Sequence, residues 1–412
     1  QGYADHQFGN YVPVLGDGRA MLLGELTVNN QLIDVHLKGS GPTPYSRPGS
    51  DGYAALGPML REYLICEAVH ALGIPTTRAL AVITTGKTIQ RETAQPAAVL
   101  VRTGPSHIRV GTFQYARAHN DLELLARLTN YSLARHYPDV QLENTGLALL
   151  HGVVQQQAEL IADWMHAGMI HGVMNTDNMT IAGHSIDFGP VAFLDVFDPH
   201  AVFSSIDYAS RYAYGNQPVI AEWNLARFAE ALLPVIMHTS DVQVMSQDEA
   251  VTAATEAITT FRTTYSAAWG ERFRTRLGLG PNDDAAHLGT QLLENLRVTA
   301  TDYTSCFANL AHVASSGLIP TDVAPELRAW YNSWLELNPD ATAVAAHNPV
   351  YVPRNHLVEA AIEDAVTRED LTPFERLFDA VTHPYQRRVE FADLERPASL
   401  AFAETYQTFC GT

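Results

Sequence analysis

Lysine is almost missing from this chain. Among 412 residues only Lys38 and Lys87 are lysines, and every other basic residue is arginine. Where arginine serves for every other positive charge, a retained lysine marks a place that needs a slim point charge rather than a wide planar fork. Cysteine is scarce too. Cys66, Cys306 and Cys410 lie far apart and match neither a metal-ligand spacing nor a disulfide framework. A reducing cytoplasm is the expected compartment. No apolar run approaches the length of a membrane span. Positive charge is in deficit overall, with a formal net charge of -19. That balance argues against nucleic acid and anionic membrane as partners, because neutralising phosphate takes clustered cations. It leaves room for a local cationic pocket around a small phosphate ligand. Residue 1 is Gln and no signal-peptide pattern follows, so the chain reads as beginning inside a longer protein or after processing.

What is present is enough for a full globular core, with 46% apolar residues in a length suited to two or three domains or lobes. Residues 1 to about 105 read as β-rich. "AMLLGELTV" and "QLIDVHLKG" are strand-like, with Asn29-Asn30 as a hairpin turn between them. "ALGPMLREYLICEAVHALG" is helical, with Leu56, Met59, Leu60, Leu64, Ala68 and Leu72 in one stripe and Gly73 as a C-terminal stop. "ALAVITTG" and "AAVLVRTG" are two further strands closed by glycine. After residue 120 the pattern is helical. The predicted helices include "LELLARLTNYSLARHY", "LLHGVVQQQAELIADWMHAG", "AEWNLARFAEALLPVI", "EAVTAATEAITTFRTTYSAAWGERF", "QLLENLRVTATDYTSCFANLAHVA" and "VAPELRAWYNSWLEL". The reading is an α+β chain in three parts: a β-rich part over 1–105, a core over 106–240 and a helical extension over 241–412.

The chemistry concentrates in "HGVMNTDNMTIAGHSIDFGP", residues 171–190. It resembles a protein-kinase catalytic loop, H-R-D followed by an Asn five residues after the Asp and then by D-F-G. His171, Asn178 and Asp187-Phe188-Gly189 fall in place, but Val173 stands where the catalytic Asp belongs. Asn178 and Asp187 supply two hard oxygen ligands for Mg²⁺ or Mn²⁺, and phosphate oxygens complete the shell. Asp177 is the nearest carboxylate able to act as a base. Lys38, near the end of a strand, resembles the kinase lysine that meets nucleotide phosphates and a helical Glu, for which Glu62 and Glu67 are both candidates, with Glu62 preferred. In "LGDGRA", Gly16 and Gly18 let the backbone approach a phosphate closely. Arg47 and the Asp51-Gly52 turn sit in a Pro- and Gly-rich loop. Arg102 and Arg109 flank a Gly-Pro-Ser turn and suit a bidentate polyphosphate clamp. A β-rich part before a helical part is the protein-kinase order of a small N-lobe and a larger C-lobe.

Long segments resemble the selenoprotein O family, the pseudokinase-fold protein adenylyltransferases, in a bacterial-type member carrying Cys. They include "HQFGNYVPVLGDGRAMLLGE", "LKGSGPTPYSRPGSDGYAALGPMLREYLICEAVHALGIPTTRAL", "PSHIRVGTFQ", the 171–190 stretch and "NPVYVPRNHLVEAAIEDA". The resemblance covers essentially the whole chain, and the family usually carries a further stretch upstream of residue 1. It implies a kinase-like fold holding ATP in an inverted pose, attack on the α-phosphorus, and transfer of AMP to Ser, Thr or Tyr hydroxyls of proteins. It implies that Gly16, Gly18, Arg19, Lys38, Asp51, Gly52, Arg102, Arg109 and Asp187 contact ATP. Asp177 would accept the proton, and Asn178 and Asp187 would bind the metal. Targets would include proteins of redox homeostasis, and a monomer is the default. Asp5 and Asn10 stand where the family commonly has glycine, two changes expected to stiffen the region near the Gly-rich turn. Relatives can join a C-terminal Cys to a Cys in the loop after D-F-G. Here Cys410 is present but the matching loop position is Phe203, which speaks against that disulfide. Transfer of UMP from UTP, and a non-catalytic ATP-binding scaffold, are the alternatives.

Overall fold

The computed structural model describes residues 1–46, 48–239 and 242–409. Arg47 and Cys410, both singled out above, lie outside them. The fold is mixed α and β, with a sheet region followed by many helices. It opens with a small hairpin, β1 (Asp5–Gln7) and β2 (Asn10–Val12). The main sheet holds five strands: β3 (Ala20–Val28), β4 (Gln31–Lys38), β5 (Ala54–Ala55), β6 (Arg78–Gln90) and β7 (Ala94–Gly104). All their pairings are antiparallel. β3 pairs with β4, and β7 pairs with β4, β5 and β6.

Local sequence accounts for most of these elements. Asn29 and Asn30 both adopt positive φ, at 50° and 62°, the left-handed pair that matches a two-residue turn to the twist of its strands. Helix α1 (Leu56–Ala71) buries Met59, Leu60, Leu64 and Ala68, the middle of the expected stripe. Its following Gly73 has φ 83°, a conformation nearly free of cost only for glycine. Gly86 does not end its strand as expected. β6 runs on to Gln90, with a register shift between Thr84 and Thr88 absorbing the glycine as an irregularity.

The helical part contains α2 (Val110–Ala118), α3 (Leu122–His136), α4 (Thr145–Ala167), α5 (Gln217–Met237) and α6 (Gln247–Arg276). The 23-residue α4 is the spine, packed by α3, α5 and α6. Its Leu149, Leu150, Val153, Val154 and Ile161 are fully buried. Each such side chain contributes roughly 1.5–3 kcal/mol through lost apolar exposure. Short strands β8 (Met169–Ile170) and β9 (Ala192–Phe193) pair after it and bracket the 171–190 loop.

The predicted helix over 291–314 is two helices, α7 (Ala285–Thr299) and α8 (Tyr303–Ser316). The break is at Ala300, at φ 49°, and the Asp302 carboxylate then caps α8 by accepting from Ser305 N–H at 2.8 Å. The chain continues through α9 (Pro325–Leu335), α10 (Ala341–His347), α11 (Asn355–Thr367) and α12 (Thr372–Thr382). The last two return to pack on α1, which is held between them and the sheet. The tail then reaches the loop after D-F-G, where the Thr408 N–H donates to the Phe203 carbonyl at 2.7 Å. Cys66 and Cys306 are free and buried. No described helix is long and apolar enough to cross a membrane.

Candidate active site

Strand alternation builds one wall of the site. Side chains two residues apart share a face. On β4 the inward face holds Asp34, His36 and Lys38, all buried, while the intervening Val35 and Leu37 are half-buried. The β4–β7 register sets His36 opposite Arg102, so Arg102 joins the same face. A sheet face that would ordinarily be apolar is therefore polar here.

α1 brings the acid that meets Lys38. The Lys38 ammonium donates to the Glu62 carboxylate. Glu67, five residues on, is taken by Arg78, whose Nε and Nη2 donate to it at 2.9 and 2.7 Å, and by the Ala79 N–H at 2.9 Å. Of the two candidates, Glu62 is the partner of Lys38.

Asp187 is where the cations converge. Lys38 Nζ and Arg102 Nη1 each donate to its Oδ1 at 2.7 Å, and Arg109 Nη1 donates to its Oδ2 at 3.1 Å. Burial alone would push this carboxyl up. Lys38, then Arg102 and Arg109, outweigh burial and hold it well below the usual carboxylate range. Its φ is 63°, a strained backbone for a residue with a Cβ. The buried Phe188 next to it anchors that turn. Three cations, Lys38, Arg102 and Arg109, face two carboxylates, Glu62 and Asp187. In a chain of net charge -19 three cations are gathered at one carboxylate, with Asp17 and Asp177 also within electrostatic reach of Arg109.

The preceding loop is fixed from within. His171 is fully buried, stacks on Trp164 at 5.0 Å, and its Nε2 meets the Ile186 carbonyl at 2.9 Å. Val173 is buried, and its carbonyl accepts from Asn178 Nδ2 at 2.9 Å. Thr176–Asn178 form one tight turn, and Arg109 Nη1 also donates to the Asp177 carbonyl at 2.8 Å. Arg109 thus bridges Asp177 and Asp187. The Asp177 carboxyl has a buried oxygen, Oδ1, with no hydrogen-bond partner among the described residues. Burial pushes this carboxyl well above the usual range, and the neighbouring Asp5 carboxylate pushes it further.

Asp5 was not expected to matter beyond stiffening. It is fully buried, and its Oδ1 accepts from Asp177 N–H at 3.0 Å and Thr176 Oγ1–H at 3.1 Å. The His6 and Phe8 N–H groups donate to Thr176 Oγ1 at 2.8 Å and Asn175 Oδ1 at 3.1 Å. The N-terminal hairpin therefore straps the loop that holds Asp177. No short-range sequence signal could show this.

The remaining predicted residues lie around the Gly-rich turn or farther out. Gly16, at φ 62°, leaves no room for a Cβ, which would fall 2.4 Å from the Tyr45 ring. The Gly16 N–H donates to the Tyr3 carbonyl at 3.1 Å and the Gly18 N–H to the Gly16 carbonyl at 2.9 Å, so both amides are internally bonded. The Arg19 side chain has no ion-pair partner among the described residues. Asp51 is an exposed member of a bidentate pair with Arg91, at 2.9 and 3.0 Å, and Gly52 lies in backbone contact with Gly41 and Pro42.

Asn178 and Asp187 offer oxygen donors only, and Asp177 and Asp5 each hold a buried carboxylate oxygen without a partner. Such a donor set suits a hard divalent cation rather than a soft one. Among the described residues no three His, Cys, Asp or Glu side chains cluster as a self-sufficient metal cage. Phosphate oxygens would have to complete the shell.

The geometry on its own shows three buried cations converging on Asp187 beside the buried carboxyls of Asp177 and Asp5. The chain's relatives define the class as protein nucleotidyltransferases. The protein nucleotidyltransferase YdiU of Mycolicibacterium smegmatis is 52% identical over 421 residues, covering 100% of this chain and 84% of that relative. The proteins of the same name from Mycolicibacterium paratuberculosis and Pseudarthrobacter chlorophenolicus are 51% and 50% identical, again over 100% of this chain and 84% of each relative. The family model described as "Protein adenylyltransferase SelO" matches residues 1–382. The chain belongs to this SelO family of protein nucleotidyltransferases.

Proposed function

We propose that this enzyme transfers AMP from ATP to Ser, Thr or Tyr hydroxyls of proteins, some of them proteins of redox homeostasis, and releases pyrophosphate. The observation that carries the reading is the convergence of Lys38, Arg102 and Arg109 on Asp187 beside a loop whose kinase base position is Val173. A γ-phosphoryl transferase places a carboxylate at that position to receive the substrate proton, and valine cannot. Asp177 is the acid close enough to Asp187 and Arg109 to interact with both electrostatically. The proposed architecture is kinase-like, with an N-lobe over 1–105, a C-lobe core over 106–240 and a helical extension over 241–412.

In the proposed reaction Arg102 and Arg109 clamp the phosphates of an inverted ATP, with Lys38 beside them. Gly16, Gly18 and Arg19 pack against the nucleotide, and Asp51 and Gly52 close the loop beyond it. The acceptor hydroxyl oxygen attacks the α-phosphorus. One P–O bond forms, the bond from the α-phosphorus to the bridging oxygen breaks, and pyrophosphate leaves with that electron pair. The hydroxyl proton passes to Asp177. Mg²⁺ or Mn²⁺ held by Asn178 and Asp187 would supply neutralisation of phosphate charge. Positioning and charge complementarity dominate such transfers, so loss of the usual base position is compatible with activity.

The deciding experiment supplies ATP labelled at either the α- or the γ-phosphate, with Mg²⁺ or Mn²⁺. Label entering protein only from the α position is expected. Label from the γ position would overturn the reading. Binding of ATP without any transfer would leave the scaffold alternative, and preferential transfer from UTP would make the enzyme a uridylyltransferase.

A further inference from the structure

The inward face of β4 carries a histidine that none of the roles above uses. His36 is fully buried between the Gly-rich turn and Arg102. Arg102 Nε donates to His36 Nδ1 at 3.2 Å. Arginine has only donors, so Nδ1 must be the bare nitrogen and the ring proton sits on Nε2. Nε2 faces Asp17 Oδ2 across a long 3.5 Å contact. Asp17 is the middle residue of the Gly-Asp-Gly turn, and its carbonyl accepts from Thr43 Oγ1–H at 2.6 Å.

The ring cannot turn away from this arrangement. It stacks on His107 with centroids 4.2 Å apart and planes 11° from parallel. His107 is pinned in turn by Asp34, whose Oδ2 accepts the His107 N–H at 2.8 Å and lies 3.0 Å from its Nδ1. Burial and then the Arg102 charge keep the His36 ring neutral, which is the form that can accept.

We infer that His36 is a positioning residue for Arg102. By accepting at Nε it fixes the guanidinium plane, so that Nη1 reaches Asp187 at 2.7 Å and lies 3.8 Å from Glu62. The chain Asp17–His36–Arg102–Asp187 then couples the Gly-rich turn to the phosphate clamp. Without the acceptor, a buried Nε–H would lose its partner and the fork would reorient to find another. A lysine at position 102 would carry its donors on one nitrogen and lack the planar fork whose Nε and Nη1 point separately at His36 and Asp187. The inference rests on the reading of Arg102 as a clamp on nucleotide phosphates.

The test compares variants of the full chain, with nucleotide Kd and kcat/KM for transfer measured beside thermal stability. His36→Phe keeps the stacking on His107 and removes both hydrogen bonds. His36→Asn keeps an acceptor near the Nδ1 position. His36→Gln puts its amide near the Nε2 position and leaves Arg102 Nε without a partner. Transfer should fall about tenfold or more in H36F and H36Q and stay within about threefold of the parent in H36N. In an Arg102→Ala background H36F should change nothing further, as two residues acting through one contact require. Should H36F not fold, H36Q carries the same decision. Full activity in H36F and H36Q with loss in H36N would show that the residue only packs, and would overturn the inference. So would independent, multiplying losses in the H36F/R102A double variant. An R102A chain with undiminished nucleotide affinity would instead overturn the clamp reading itself, whatever position 36 does.

Discussion

The molecule buries two ion clusters of opposite construction. Around Asp187, three cations share two carboxylates, and the Asp187 side chain keeps 20% of its exposure. Around Arg354, one cation meets two carboxylates and the arginine is 1% exposed. Arg354 Nη1 donates to Asp195 at 2.5 Å and to Asp302 at 2.8 Å, while Nη2 donates to Asp302 at 2.8 Å and to the Glu395 carbonyl at 2.7 Å. That fork ties the segment after β9, the cap of α8 and the C-terminal segment to the start of α11. Its terminal nitrogens are fully engaged within the protein. At the Asp187 cluster the cations outnumber the carboxylates they bond, and Asp187, at 20%, is more exposed than Asp195 at 14% or Asp302 at 11%. The Arg354 arrangement is a fastener, and the Asp187 arrangement is the one proposed above to receive phosphate. Counting charge and exposure together separates the two roles where burial alone would not.

Breaking each cluster should therefore give different losses. Asp187→Ala should abolish transfer, by more than about a thousandfold, with the chain still folded by circular dichroism. An active Asp187→Ala variant would remove Asp187 from the metal site. Arg354→Met leaves two carboxylates without their cation and should cost roughly 3–5 kcal/mol in denaturant unfolding. Its transfer per folded molecule should stay near the parent value. If stability held and activity fell, the contrast drawn above would be reversed.

Lys38→Arg sharpens the comparison at the charge-rich site. Charge is kept, but a wide fork replaces a point donor between Glu62 and Asp187. Nucleotide affinity should fall about tenfold with little change in melting temperature, since the pair geometry is not conserved between the two side chains. Unchanged affinity would mean that the lysine is there by chance of composition.

A last contrast concerns pH. Burial lowers His36 to about 3 and His107 to about 4 from an ordinary 6.5. Between those values and 6.5 the unfolded chain binds more protons than the folded one, so stability falls with acidification. It is fully present above 6.5 and is lost as pH drops toward 4. At pH 5 the loss should be roughly 1–2 kcal/mol per histidine. Denaturant curves at pH 7.5 and pH 5 measure it, and His107→Asn should reduce the difference by one histidine's share, the other buried histidines keeping theirs. A slope unchanged in that variant would assign the acid sensitivity elsewhere.

Much of this was legible in the chain. The Asn29-Asn30 turn, the strand holding Lys38, helix α1 and the D-F-G segment all follow from local chemistry. What escaped is what depends on distance in space. Glu62 and Glu67 both sit on α1, and only the helix's rotation against β4 decides which meets Lys38. The alternation of Asp34, His36 and Lys38 along β4 went unread, and its meaning needs the register that sets Arg102 opposite His36. The break at Ala300, by contrast, had a local signal that the apolar spacing on either side masked: Thr299, Thr301 and Asp302 are weak helix formers, and Asp302 is a favoured cap. Asp5 escaped because its partners are 171 and 172 residues away.

That separation sets an order of assembly. On the ribosome the β1–β2 hairpin emerges long before Thr176 and Asp177 exist to receive it. Its bonds close a loop of 170 residues, and long loops carry a larger entropic cost than local contacts and close later. A nascent chain can complete the sheet with β7 and still lack a finished Asp177 turn. Competence for chemistry would then arrive as a late event of biosynthesis, after the sheet wall carrying Lys38 and Arg102 is already standing.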